Sequence, residues 1–201
     1  MTLALPSAPA RTSRRQVLVA TTLVVGALTM LMAGMIATWL KFRAGAPTRL
    51  SSDGLRTIKD WMPKDIKVPE VAANTMLVTF PVAALMAQWA VYSTKRNDRS
   101  HRSLALLIVL GLGVAIVNAQ VAVWAQMEVE LAGGAFQTMF WTITGTMVLF
   151  VVGGMAFTAV AFFRSVGGRD DDHQVVSAHA LYWYFLTAVF TAMWFFVYVQ
   201  K

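Results

Sequence analysis

The feature that most constrains this chain is a series of five long stretches that carry almost no charged side chain. A charged residue costs roughly 2.5 to 3.5 kcal/mol at the centre of a bilayer, so uncharged stretches longer than about 18 residues indicate membrane spans. We place the spans at about residues 16–40, 71–94, 103–127, 137–163 and 176–200, in one membrane domain covering 16–201. The sequence therefore predicts an all-α integral membrane protein with five transmembrane helices.

The basic residues indicate how these spans are oriented. They lie mainly between the apolar stretches, where charge sets topology and contacts lipid headgroups, so nucleic-acid binding is not expected. Three arginines precede the first span, and a dense basic cluster fills the short segment between the second and third spans. We give these charges more weight than those of the opposite segments, which include the long loop 41–70. They predict a cytoplasmic N-terminal segment, residues 1–15, and a C-terminus outside.

The predicted outer loop contains one further periodic pattern. Leu55, Ile58 and Met62 recur at helical spacing, and they follow Ser52 and Asp53, two residue types that often cap helices. We therefore expect a short helix that lies on the outer membrane interface.

The spans lack the side chains with which membrane enzymes and pumps move protons and electrons. All ten acidic residues lie outside them, the chain has no cysteine, and His179 is the one histidine within a span. Paired histidines for a haem, or a multi-histidine copper site, are therefore missing. Met30, Met32 and Met35 in one apolar helix are interpreted as packing residues rather than copper ligands. We expect no cofactor, metal or catalytic site in this chain.

The polar residues that remain in the spans are uncharged. Amides and hydroxyls in membrane helices usually form hydrogen bonds between helices, and glycines allow close packing, although a substrate path is an alternative. Asn118 and Gln120 lie inside the third span, so we expect both to face protein. The other residues assigned to such packing are Gln88, Gln126, Gln137, Thr142, Thr144, Thr146, Gly111, Gly113, Gly153 and Gly154.

Several aromatic residues fit the pattern of interfacial anchors. They include Trp124 and Trp141, near the ends of their spans, and Trp183 and Tyr198 in the fifth span, with a lipid pocket as the alternative. We interpret His179 as an interfacial histidine, or else as a contact to a lipid headgroup or partner subunit. The candidates for a lipid or partner interface are Asn118, Gln120, Trp124, Trp141, Thr144, His179, Tyr182 and Trp183.

Short motifs in a fixed order resemble subunit III of haem-copper cytochrome c oxidases. Residues 180–185, Ala-Leu-Tyr-Trp-Tyr-Phe, resemble the Tyr-Trp-His-Phe-Val-Asp signature that opens the last helix of that family. Residues 140–145 resemble Phe-Tyr-x-x-Thr-Gly, residues 151–154 resemble Val-x-Gly-Gly, and Gln120 with Trp124 resembles Gln-x-x-Glu-Trp. Similar short matches in the earlier helices are Asn74 with Thr75, and Ala33 and Gly34 with Arg43. The chain is similar to the short five-span form of this family.

The resemblance implies an accessory, non-redox subunit that packs beside the catalytic subunit of a respiratory haem-copper oxidase. Such a subunit would support aerobic electron transport, stabilise the catalytic subunit and bind phospholipid between its helices. Haem and copper are then expected in partner subunits, and the location in the bacterial inner membrane. The alternatives are an accessory protein of a nitric oxide reductase or other membrane oxidase or monooxygenase complex, and a freestanding transporter, which the uncharged spans disfavour.

The chain departs from the family where the family carries ionisable residues. Apolar or hydroxyl side chains stand where the resemblance places two glutamates, three histidines and one aspartate. The residues at these positions are Leu28, Val123, Met147, Phe150, Tyr184 and Thr187. The resemblance thus implies a divergent member that keeps the helical scaffold without the polar network.

Overall fold

The computed structural model describes residues 15–51, 55, 57–63, 66–130, 133–168 and 173–200. The predicted N-terminal segment, apart from its last residue, lies outside the described residues, and so do Ser52 and Asp53. In chain order the elements are α1 Gln16–Gly45, β1 Thr48–Leu50, β2 Thr57–Lys59, α2 Glu70–Lys95, α3 Arg99–Met127, α4 Ala135–Val166 and α5 His173–Met193, which continues as a π-helix over Trp194–Val199.

Among the described residues, five helices are long and apolar enough to cross a membrane, which confirms the predicted five-helix membrane fold. The helices extend beyond the uncharged stretches, because charged residues near a helix end reach the headgroup layer without breaking the helix. Helix α1, for example, continues through Lys41 and Arg43 to Gly45.

Helix α5 is the centre of the arrangement. It packs against α1, α2 and α4, while α3 packs against α2 and α4. Helix α1 lies at the edge of the bundle, where it contacts mainly α5 and to a lesser extent α4. Its buried side chains are Met32, Ile36 and Trp39, all in its second half. Met32 therefore packs as expected, whereas Met30 is 78% exposed and does not.

A two-stranded hairpin takes the place of the helix predicted in the outer loop. Strands β1 and β2 pair antiparallel, and the Lys59 Nζ donates hydrogen bonds to the carbonyls of Ala44, 2.9 Å away, and Ala46, 3.1 Å away. These bonds tie the hairpin to the end of α1. The predicted helix was wrong, because residues 57–59, which include Ile58, form a strand paired with β1.

Two arginines of α3 hold the end of α4. The Arg99 Nε donates to the Ser165 carbonyl over 3.0 Å, and Arg99 also donates to the Val166 carbonyl. The buried Arg102 donates to the Ser165 hydroxyl over 2.7 Å. The last carbonyls of a helix carry partial negative charge, which cations stabilise. These bonds therefore fix the start of α3 to the end of α4.

Asp98 begins α3 as its N-cap. Its carboxylate accepts a hydrogen bond from the His101 backbone N–H over 3.1 Å, and the His101 ring Nδ1 lies 2.6 Å from the other oxygen. The hydrogen bond from the backbone N–H lowers the pKa of the Asp98 carboxyl below its usual value of 3.8. The start of α3 is therefore stabilised by an ionised carboxylate.

Close packing between α3, α4 and α5 depends on glycines, as predicted. A Cβ atom at Gly154 would lie 3.0 Å from Leu186 Cδ1 and 3.1 Å from Tyr182 Cε1. Gly111 does not follow this pattern, since nothing lies within 4 Å of where its Cβ would be.

Candidate lipid and partner interface

An apolar groove runs between α1 and α5. It has a volume of ≈ 430 Å³. Small side chains on both helices, among them Ala33, Ala188 and Ala192, leave this space open. The other described lining residues are Val25, Thr29, Met32, Ile36, Leu181, Tyr184, Phe185 and Val189. Its apolar lining and its position at the edge of the bundle suit a hydrocarbon chain.

Asn118 and Gln120 occupy opposite environments, although they are two positions apart in α3. Gln120 is buried, and its Oε1 accepts a hydrogen bond from the Tyr198 hydroxyl over 3.1 Å. The Gln120 Nε2 has no hydrogen-bond partner among the described residues. Asn118 is exposed on the outer face of the bundle. The expectation that both residues face protein is therefore met by Gln120 and not, within this chain, by Asn118.

Trp124 and Trp141 join α3 to the start of α4. The centroids of their rings lie 4.8 Å apart, and both side chains are half-buried. The Trp124 Nε1 donates to the Thr144 hydroxyl over 3.0 Å, and the Trp141 Nε1 donates to the Val129 carbonyl over 3.2 Å. Thr144 is fully buried. These residues therefore bond within the bundle, with only part of each indole ring left for contact with lipid or a partner.

His179 and Trp183 lie inside the bundle rather than at its surface. Both are fully buried. The Thr158 hydroxyl lies 2.8 Å from the His179 Nε2 and accepts a hydrogen bond from the Trp183 Nε1 over 3.1 Å. This placement differs from the predicted interfacial roles, because α4 covers that face of α5. Sequence reasoning missed Thr158, whose only signal was a hydroxyl in an otherwise apolar part of α4.

Tyr182 and Tyr198 are buried in the same way. The Tyr182 hydroxyl donates to the Phe150 carbonyl over 3.0 Å, and Tyr198 bonds to Gln120 as described above. The interpretation of Tyr198 as an interfacial anchor was therefore wrong, since its polar end has a partner within the bundle. Of the eight candidate interface residues, Asn118 alone is exposed.

Three of the six positions where the resemblance places ionisable side chains lie in the apolar core, while Leu28 and Thr187 are half-buried and Tyr184 is exposed. Val123, Met147 and Phe150 are buried. In the described part of the chain, no three histidine, aspartate or glutamate side chains lie close enough to hold a metal ion together. The absence of a cofactor from this chain stays a prediction.

Comparisons with known proteins give a consistent result. A family model described as cytochrome c oxidase subunit III matches residues 51–201. Proteins named cytochrome c oxidase subunit 3 from Bos mutus grunniens and Bos taurus are each 29% identical to the chain over 137 residues, which is 67% of this chain. The aligned region covers 50% and 49% of those relatives, respectively. The chain thus spans about half the length of the curated relatives it matches.

Proposed function

The chain belongs to the cytochrome c oxidase subunit III family, and from this membership we propose that it is an accessory, non-redox subunit of a respiratory haem-copper oxidase. In this role it packs beside the catalytic subunit in the bacterial inner membrane, with its N-terminus in the cytoplasm and its C-terminus outside. It stabilises that subunit and binds phospholipid, while haem and copper are carried by its partners.

The observation that carries the proposed partner contact is the exposed amide of Asn118. Asn118 lies nine positions before the end of α3 at Met127, which at about 1.5 Å per residue places it about 14 Å from that end. At this depth an amide facing lipid tails has nothing to bond with. A hydrogen bond from a helix of another subunit would satisfy it, and Gly111, earlier on α3, leaves room for a close approach.

The groove between α1 and α5 supports the proposed lipid binding. It is lined almost entirely by apolar side chains, with Thr29 and Tyr184 as the polar ones among the described residues. On α1 the groove extends from Val25 to Ile36, so a lipid tail in it would contact the middle of a helix whose first half has no buried side chain among the described residues. Lipid would then contribute to holding α1 on the bundle.

Purification of the chain in mild detergent tests this proposal. We expect it to co-purify with a catalytic subunit, with a haem spectrum that belongs to the complex and with oxygen consumption. Co-purification with a nitric oxide reductase or a monooxygenase instead would identify one of the alternative assemblies. A chain that purifies alone from native membranes, and moves a solute in vesicles, would contradict the accessory role.

A further inference from the structure

A basic cavity lies where α1 meets the β1–β2 hairpin. Its volume is ≈ 290 Å³, and its described lining residues are Arg43, Arg49, Ile58, Lys59 and Met62. Three of these five residues are cationic and none is acidic. The cations come from three segments: the last turn of α1, strand β1 and strand β2. Converging positive charge of this kind favours an anionic ligand.

Contacts within the chain hold the basic side chains in place, including a hydrogen bond from the Arg43 Nη1 to the Gln200 Oε1 over 3.4 Å. The Arg49 Nη2 lies 3.5 Å from the Met62 carbonyl that accepts its hydrogen bond, and its Nη1 lies 3.1 Å from an Asp60 oxygen. Lys59 is fixed by its two bonds to carbonyls at the end of α1. Positioned side chains lose less conformational freedom on binding than free ones. The cavity is therefore organised by the fold, unlike a set of mobile surface lysines.

The position of the cavity indicates the kind of anion. Helix α1 has 30 residues and is thus about 45 Å long, close to the thickness of a bilayer with its headgroups. Its last turn then lies at the level of the lipid phosphates. Leu50, which follows Arg49 in β1, is 69% exposed, as expected for a hairpin at the membrane interface.

We propose that this cavity binds the phosphate of an anionic glycerophospholipid. The guanidinium groups of Arg43 and Arg49 supply planar pairs of N–H donors that match phosphate oxygens, and Lys59 adds a third positive charge. The Asp60 carboxylate paired with Arg49 offsets one of the three charges. The site is separate from the groove between α1 and α5. It depends on the chain spanning a membrane and not on its assembly with an oxidase.

Native mass spectrometry of the full chain in mild detergent, titrated with phosphatidylglycerol, tests this site. Ile58→Glu puts a carboxylate into the cavity without removing any basic side chain. We expect this change to lower the phosphatidylglycerol-bound fraction at least fivefold.

Leu55→Glu is the matched control, since Leu55 is exposed on the same hairpin and is absent from the described lining. This control should bind lipid like the unmodified chain. Equal binding by both variants, or equal loss in both, overturns the proposal.

A second variant covers the case in which Ile58→Glu disturbs the hairpin. Lys59→Gln removes one charge and keeps N–H donors for the carbonyls of α1, so it should weaken phosphatidylglycerol binding by at least twofold with an unchanged melting temperature. Unchanged binding contradicts the site.

Two further titrations identify the source of the phosphate. The zwitterionic phosphatidylethanolamine should bind more weakly than phosphatidylglycerol. Millimolar inorganic phosphate should compete only partly with the lipid. If inorganic phosphate alone gives full, Ile58-dependent occupancy, the cavity is a free-phosphate site and the lipid assignment fails. If the isolated chain binds no lipid and Ile58→Glu releases a co-purified subunit, a partner's acidic segment is the occupant instead.

Discussion

The Thr158 hydroxyl of α4 lies 2.8 Å from Nε2 of His179 on α5, inside the bundle. The single proton of this hydroxyl is donated to the Gly154 carbonyl, also over 2.8 Å. Thr158 is therefore the acceptor for both His179 and Trp183, and His179 carries its proton on Nε2. Its Nδ1 is then an acceptor, and it has no partner among the described residues. One hydroxyl group thus joins two side chains of α5 to α4.

Replacing Thr158 by valine tests how much this junction stabilises the bundle. Thr158→Val keeps the size of the side chain and leaves the N–H groups of His179 and Trp183 without an acceptor. Each buried unsatisfied donor costs about 1–3 kcal/mol, so we expect a clear fall in the melting temperature in mild detergent. Thr191→Val is the control, because the exposed Thr191 hydroxyl bonds only to a carbonyl of its own helix among the described contacts. Similar melting of the two variants would contradict the role assigned to Thr158.

The opposite placement of Asn118 and Gln120 leads to a second prediction. Asn118→Leu should weaken binding of the partner by about 3- to 30-fold and so reduce the amount that co-purifies, since a hydrogen bond between membrane helices contributes about 0.6–2 kcal/mol. Gln120→Leu should lower the melting temperature of the chain, because the hydrogen bond from Tyr198 is lost. It should leave the partner bound. Quantitative immunoblotting of the purified complex measures the first effect. The idea fails if the two substitutions reduce assembly equally.

The capping carboxylate of Asp98 predicts a dependence on pH. Its pKa is lowered in the folded chain, so the ionised form is the one that stabilises the fold. This contribution is fully present above the ordinary carboxyl pKa of 3.8 and is lost as the pH falls through the lower folded value. Asp98→Asn should therefore melt at a lower temperature than the unmodified chain near pH 6, and the difference should shrink towards pH 3. A constant difference over this range would exclude the charge as its cause.

Carbodiimide labelling tests the resemblance position by position. Dicyclohexylcarbodiimide enters membranes and reacts with protonated carboxyl groups, a form that burial favours. We expect no labelling between the ends of the five spans, because no acid lies there. Leu28, half-buried near the middle of α1, packs against the core, so Leu28→Glu should introduce a labelled site. Leu28→Gln, which has no carboxyl group, is the control. A labelled peptide from within a span of the unmodified chain would show that a span is misplaced.

The number of spans and the family could be predicted from the sequence, whereas the facing of individual side chains could not. The helices are apolar on nearly every side, so the pattern does not distinguish the face of α3 that carries Asn118 from the face that carries Gln120. In a soluble helix the polar residue would mark the exposed side. In lipid both sides are apolar, and only the packing of neighbouring helices decides between them.

The outer hairpin shows a second limit of local patterns. The spacing of Leu55, Ile58 and Met62 is helical, yet the hairpin depends on contacts that the spacing does not contain. These are the bonds of Lys59 to the end of α1 and the pair formed by Arg49 and Asp60. Such contacts between distant residues override a weak local preference.

The position of α1 beside α5 has a consequence for how the chain is made. Helix α1 leaves the ribosome before α5, the helix against which it mainly packs, so it must wait in the membrane while the three helices between them are inserted. The roughly 130 residues that separate the two helices take about 6–26 s to synthesise at 5–20 residues per second. During this interval the apolar surface of α1 is open to lipid or to a membrane chaperone. Biogenesis, rather than the finished bundle, is therefore the stage at which this helix is most exposed to mispairing.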